Sequence, residues 1–235
     1  NEQQMLNLER LLRSFRTRLV LTAHPTQFYP TAILGIINAL RQAIIRDDIA
    51  EVRDLFLQMG LTRFGNQNKP TPVDEAHSII WFLENVFYQV IPQIQHKLPC
   101  QTTCIELGFW PGGDRDGNPF VTAEVTLEVA DKLRSSLLRC YYQDLQSLRR
   151  RLTFAGVSEL LTAIALKIRH DSYLSSSQLI TDLQQVSKKL SNQYHGLFVN
   201  LVQDLIKKIN LFHFYFAKID IRQNSEIHRQ VIQHI

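Results

Sequence analysis

Apolar residues in this chain recur mostly at three- and four-residue spacing, the mark of helices that bury one face. Met5, Leu8, Leu11, Leu12 and Phe15 form the first such stripe. Pro30 suits the first turn of a second helix, which carries Ile33, Leu34, Ile37, Leu40 and Ile44. A third helix is expected over Ile49–Met59, closed by Gly60. FGNQNKPTP, from Phe64 to Pro72, reads as a loop, and Pro72-Val73-Asp74-Glu75 then opens a longer helix. The two acidic residues of that first turn meet the positive end of the helix dipole. Further helices are expected from Thr122 to about Leu152, from Ser158 to His170, and from Ser177 to Leu211 with a break near Gly196.

Three short segments depart from this period. RLVLT (Arg18 to Thr22), CIELGFW (Cys104 to Trp110) and YFAKIDIR (Tyr215 to Arg222) read as buried strands. Long helical stretches separate them, as in a parallel sheet or barrel. Each strand runs into polar, charged or glycine-rich residues at its carboxyl end, where such folds gather functional groups. The expected class is therefore mostly α-helical with a few short parallel strands.

Composition adds limits. The 235 residues are 45% hydrophobic and 20% charged, enough to bury a core, and no apolar run is long enough to span a bilayer. NEQQMLNLER lacks the pattern of a signal peptide, and an opening on Asn1 rather than Met is expected of a piece of a longer protein. Three cysteines, Cys100, Cys104 and Cys140, offer no disulfide framework and suit a reducing cytoplasm. The net charge of +4 is spread along the chain. Its densest run, Arg149-Arg150-Arg151, reads as a solvated helix end rather than a nucleic-acid patch.

Candidate chemistry sits in three constellations. Thr22-Ala23-His24-Pro25-Thr26 follows the first strand, so His24 is a candidate proton carrier between two hydroxyls, or else a capping or core histidine. In GFWPGGDRDGNP, the glycines permit close approach of a ligand, and Asp114, Arg115 and Asp116 set a cation between two carboxylates. Arg115 can bind a carboxylate or phosphate while the aspartates hold it; the alternative is a turn with a structural ion pair. No Gly-Lys-Ser/Thr follows, so this is no Walker loop, and Pro119 and Val125 stand where a calcium loop needs glycine and glutamate. In Lys218-Ile219-Asp220-Ile221-Arg222-Gln223, Arg222 can clamp an anion at a strand terminus or make a salt bridge with Asp220. A zinc face of His96, Cys100 and Cys104 is rejected because Pro99 interrupts the helix it needs.

Taken together, VLTAHPT (Val20 to Thr26), PTPVDEA (Pro70 to Ala76), FWPGGDRDGNPFVT (Phe109 to Thr122) and KIDIRQNS (Lys218 to Ser225) resemble phosphoenolpyruvate carboxylase, in the family's order. The resemblance implies a partial (β/α) barrel of that type, with residues 1–235 a single fragment of a larger catalytic domain. It implies a carbon–carbon lyase that joins phosphoenolpyruvate and bicarbonate into oxaloacetate and phosphate, supplying the tricarboxylic acid cycle from the cytoplasm. Carried over by motif, His24 is the catalytic histidine, Arg222 holds the phosphoenolpyruvate anion, Trp110 lines an apolar pocket, and Arg115 with Asp116 shapes its mouth. Asp114, Thr22 and Thr26 are expected in support. Mg²⁺ or Mn²⁺ is implied, with ligands outside this chain, as is a homotetramer of full-length chains, with neither nucleic acid nor membrane as partner.

Departures from the family shape further expectations. Pro30-Thr31 occupy positions where many members carry an arginine pair, and Arg63-Phe64-Gly65-Asn66 replace an acidic-basic run. The glycine-rich FHGRGG segment and the acidic metal ligands are not in this sequence, so the chain alone is expected to be inactive. A rival reading is a helical interaction module that keeps these motifs without catalysis.

Overall fold

The computed structural model describes residues 2–14, 16–22, 29–64, 70–98, 104–116 and 118–234. Within them, α1 (Glu2–Ser14), β1 (Thr17–Leu21), α2 (Thr31–Ile45), α3 (Ile49–Leu61) and α4 (Pro72–Phe82) come first. A π-helical turn (Leu83–Phe87) joins α4 to α5 (Tyr88–Lys97), and β2 (Ile105–Phe109) follows. Then come α6 (Ala123–Arg151), α7 (Val157–Arg169), α8 (Ser176–Gln193), α9 (Val199–Phe212), β3 (Lys218–Ile219) and α10 (Ser225–Gln233). The protein is thus mostly helical with a three-stranded parallel sheet, ordered β1-β2-β3.

The helix boundaries follow local chemistry. At α4, the Thr71 hydroxyl accepts from the Asp74 amide at 3.2 Å while the Asp74 carboxylate accepts from the Thr71 amide at 2.9 Å. This reciprocal capping box starts α4 at Pro72, as the acidic first turn suggested. Thr122 caps α6 by accepting from the Val125 amide at 3.3 Å. The expected break near Gly196 lies between α8 and α9, where Gly196 (φ 76°) and Phe198 (φ 60°) take left-handed conformations. Arg149, Arg150 and Arg151 occupy the last turn of α6, where cations complement the dipole.

The helix α6 is the spine of the core. Leu133, Leu137, Tyr141, Leu145 and Leu148 are all buried along one of its faces, against residues of α4, α5, α7, α8 and α9. Tyr88 of α5 is buried beside it and donates its hydroxyl proton to Asp144, which also accepts from Lys208 at 2.7 Å. Burial holds the Tyr88 phenol protonated far above its ordinary range, so it serves as a donor. The Cys140 thiol is likewise pushed up to about 12 by burial, which leaves it unreactive.

Two expectations about burial fail. The α1 helix forms, yet Met5, Leu8 and Leu11 are 51–67% exposed rather than buried. In α2, Ile33, Leu34 and Leu40 are buried as expected, but Ile37 and Ile44 are exposed. The reason is local: α2 packs on α3 through Ile33, Ile36 and Leu40 against Val52, Leu55 and Met59, a cluster separate from the main core. A two-helix hairpin has one contact face, so the other side of each helix faces outward.

The strands differ in kind. β2 is the central strand, with Leu107 and Phe109 buried in the core. β1 was expected to be buried, but it is an edge strand with Leu19 and Val20 exposed. β3 is shorter than YFAKIDIR suggested, because Phe216 (φ 54°) turns the backbone left-handed just before Lys218.

The capping box gives a testable pH dependence. Thr71 donates to the ionised Asp74 carboxylate and holds its pKa below the ordinary value, so this stabilisation is present above about pH 4 and lost as pH falls lower. Replacing Thr71 with Ala is expected to lower stability at neutral pH by about 1 kcal/mol and to shrink the further loss on acidification below pH 4. Thermal denaturation followed by circular dichroism at pH 7 and pH 3 measures both.

Candidate active site at the carboxyl edge of the sheet

Parallel pairing aligns the three strands so that their carboxyl ends emerge together. Leu21 pairs with Phe109, and Phe109 with Ile219. The Trp110 amide extends the ladder by donating to the Leu21 carbonyl at 3.0 Å, and the Asp220 amide donates to the Phe109 carbonyl at 2.9 Å.

After β2 the chain turns tightly. The Trp110 carbonyl accepts from the amides of Gly113 and Asp114 at 2.9 and 3.0 Å. Gly112 sits at φ 77°, and a Cβ there would lie 2.6 Å from a Val129 methyl of α6. At Gly113 a Cβ would lie 2.3 Å from the Asp220 carbonyl oxygen. Both positions therefore need glycine, one for conformation and one for close approach. The reward is a second contact between the segments: the Arg222 amide donates to the Gly113 carbonyl at 3.0 Å, and the Arg115 amide to the Arg222 carbonyl at 2.8 Å. Asp114 and Arg222 form an isolated parallel bridge.

This bridge brings three expected site residues together. The Arg222 guanidinium donates to Asp114 Oδ2 at 2.7 Å and lies 4.0 Å from the centroid of the Trp110 ring. Trp110 in turn donates its indole N–H to Asp220 Oδ2 at 3.2 Å. Asp220 is paired with Arg18 of β1 at 2.7 Å, so the alternative of an Arg222–Asp220 bridge gives way to Arg222–Asp114.

Arg115 takes a different position from the one expected. Its side chain turns toward the start of α6 and donates to Thr126 Oγ1 at 3.1 Å, while its Nε is buried without a hydrogen-bond partner. Asp114 holds Arg222 rather than Arg115, and Asp116 meets Asp114 through its amide at 3.4 Å. The Asp-Arg-Asp spacing suggested a cation between two carboxylates; the turn instead sends successive side chains to different neighbours. Thr22 is exposed at the end of β1, whereas His24 and Thr26 lie outside the described residues.

Sequence reading missed Arg18 as part of this constellation and offered Asp220 only as a partner for Arg222. Arg18 pairs in register with Glu106, and Val20 with Gly108, so these side chains share one sheet face with Trp110 and Lys218. Lys218 bonds Glu106 at 3.0 Å and holds that carboxyl below its ordinary range, helped by Arg18. The alternation of Ile105-Glu106-Leu107 and of Lys218-Ile219-Asp220 was the available signal: it puts Leu107 and Phe109 in the core and the charged residues on the opposite face.

A phosphoenolpyruvate carboxylase family model matches residues 2–171 and 158–235, essentially the whole chain. The chain belongs to the phosphoenolpyruvate carboxylase family. Similar curated proteins include the phosphoenolpyruvate carboxylases of Aeromonas salmonicida (27% identical, 95% of this chain) and Shewanella loihica (28%, 94%). That of Psychromonas ingrahamii is 27% identical over 97% of the chain. The chain spans about a third of the length of these relatives. The Aeromonas salmonicida alignment runs over 281 positions, more than the chain's 235 residues, so the relative carries stretches with no counterpart here.

Two glycine substitutions separate steric need from propensity. Gly113→Ala is expected to cost about 2 kcal/mol or more, because the Asp220 backbone must retreat. Gly35→Ala, with nothing within 4 Å of its added Cβ in α2, is expected to stabilise by about 0.5–1 kcal/mol. Urea unfolding of both variants measures the difference in sign.

Proposed function

We propose that this chain is the amino-terminal part of a phosphoenolpyruvate carboxylase, a single fragment of its catalytic domain, and that the edge carrying Trp110, Asp114 and Arg222 is one wall of the active site. The observation that carries this reading is the convergence of two separate family motifs on one bridged pair, Asp114 and Arg222. The reaction joins phosphoenolpyruvate and bicarbonate: bicarbonate oxygen attacks phosphorus, the enolate of pyruvate leaves, and carboxyphosphate then releases carbon dioxide for capture by the enolate. The product is oxaloacetate, which feeds the tricarboxylic acid cycle.

In this reading Arg222 binds the substrate anion. It has five N–H donors, of which Asp114 takes one of the two at Nη1, and its face is already stacked on Trp110. Trp110 supplies the apolar surface that keeps water from the enolate. Thr22 at the β1 edge lies where the chain leads into His24, the proposed proton carrier, and Thr26. Arg115, tied to Thr126, and Asp116 shape the surrounding turn.

A partial (β/α) barrel fits the sheet. Its helices cover the Leu107–Phe109 face, while the other face carries Arg18, Glu106 and Lys218. Such a one-sided parallel sheet with open edges is what three strands of a closed barrel would present. Mg²⁺ or Mn²⁺ supplies charge neutralisation in this reaction. In this reading its ligands lie in the part of the full-length protein that this chain does not span. No helix among the described residues is long and apolar enough to cross a membrane. A cytoplasmic location is part of the proposal. A tetramer of full-length chains completes the proposal.

The test uses the full-length protein and this chain side by side. Arg222→Gln and His24→Asn in the full-length protein are each expected to lower oxaloacetate formation by about a hundredfold or more, measured by coupled reduction with malate dehydrogenase. The 235-residue chain alone is expected to give none. Unchanged turnover in both variants would favour a non-catalytic helical module instead.

A further inference from the structure

Asp220 is the hub of the polar sheet face. One carboxylate oxygen accepts the indole N–H of Trp110 at 3.2 Å, and the other meets Arg18 at 2.7 Å. Arg18 comes from the far strand and must cross β2 to reach it, and it crosses at Gly108. A Cβ on Gly108 would lie 3.0 Å from Val20 Cγ2, 3.1 Å from Arg18 Nε and 3.1 Å from Asp220 Oδ2. The missing side chain on the central strand is the gap through which the outer strands touch. Arg18 also reaches the Lys218 carbonyl, which fixes the strand that carries Asp220.

An indole ring resting on a sheet edge can turn about its side-chain torsions, and Arg222 stacks on that ring at 4.0 Å. The only polar group of the ring is its N–H, so a fixed acceptor sets the ring plane. The Asp220–Arg18 pair lies partly open to solvent, with side-chain exposures of 23% and 40%, and such pairs add little to stability. Its consequence is geometric.

We propose that Asp220, anchored across Gly108 by Arg18, is a positioning residue that fixes the Trp110 indole and, through it, the guanidinium of Arg222. The inference rests on the carboxylase reading only where it concerns turnover. Losing Asp220 frees the ring and opens the pocket to water. An enolate reached by water takes a proton and leaves as pyruvate, while carboxyphosphate breaks down to carbon dioxide and phosphate. The signature is therefore a changed product ratio rather than a simple loss of rate.

Two measurements test this. In the 235-residue chain carrying Trp81→Phe, Trp110 is the sole tryptophan. Asp220→Ala is expected to shift its emission to the red and lower its anisotropy, with Asp220→Asn intermediate because the amide oxygen still accepts. Far-UV circular dichroism checks that each variant is folded; if Asp220→Ala is not, Asp220→Asn decides. In the full-length protein, Asp220→Asn and Arg18→Gln are expected to lower kcat/KM about tenfold and raise the pyruvate fraction several-fold, while Arg18→Lys stays near the parent. Folded Asp220 variants with unchanged emission and anisotropy overturn the proposal, as does an unchanged product ratio. If the full-length parent consumes no phosphoenolpyruvate, the carboxylase reading fails and the emission measurement alone decides the positioning of Trp110.

Discussion

The carboxyl edge of the sheet depends on one close approach between backbones. A Cβ at Gly113 would lie 2.3 Å from the Asp220 carbonyl oxygen, so only glycine lets the turn after β2 lie against the segment after β3. Once they touch, amides and carbonyls of Gly113, Arg115 and Arg222 pair, and the side chains on either side are brought into register. The Asp114–Arg222 ion pair and the Arg222–Trp110 stack follow from that register. Without it, Arg222 would be an exposed cation at the end of a two-residue strand.

Charge on the open sheet face is arranged in alternation. Arg18, Glu106, Lys218 and Asp220 form two ion pairs across three strands, Arg18–Asp220 and Lys218–Glu106. Each pair is partly solvated and contributes little to stability by itself. Their effect is on geometry: they fix which direction each long side chain takes, and leave Arg222, paired with Asp114, at the rim. The helical body supplies the rigidity for this. Phe109 and Leu107 enter the same core as α6, so the turn that carries Asp114 starts from a strand packed into the core.

Not all of the molecule is tied to that core. The α2–α3 hairpin has its own small cluster, and α1 and α2 expose apolar residues that helical periodicity assigned to the interior. Periodicity reports that a face is apolar. It carries no information about what covers the face, because burial depends on partners distant in sequence.

The sequence by itself determined most of the helices and the parallel direction of the sheet, though not α10 or the run of α3 past Gly60 to Leu61. Thr71, Thr122 and Gly196 act through bonds and torsions within a few residues of themselves, so their effect is legible in order along the chain. It also determined the family, since the motif around Gly112 and Gly113 keeps its residue types in a fixed order. Tertiary structure decided the pairings. Asp114 stands next to Arg115 in the chain yet binds Arg222, and Arg18 reaches Asp220 over Gly108, because parallel strands bring remote residues level while a tight turn sends adjacent side chains apart. GFWPGGDRDGNP was legible from its composition as a glycine-rich turn that carries charges; which of its charges faces which partner was settled only by the strand beside it.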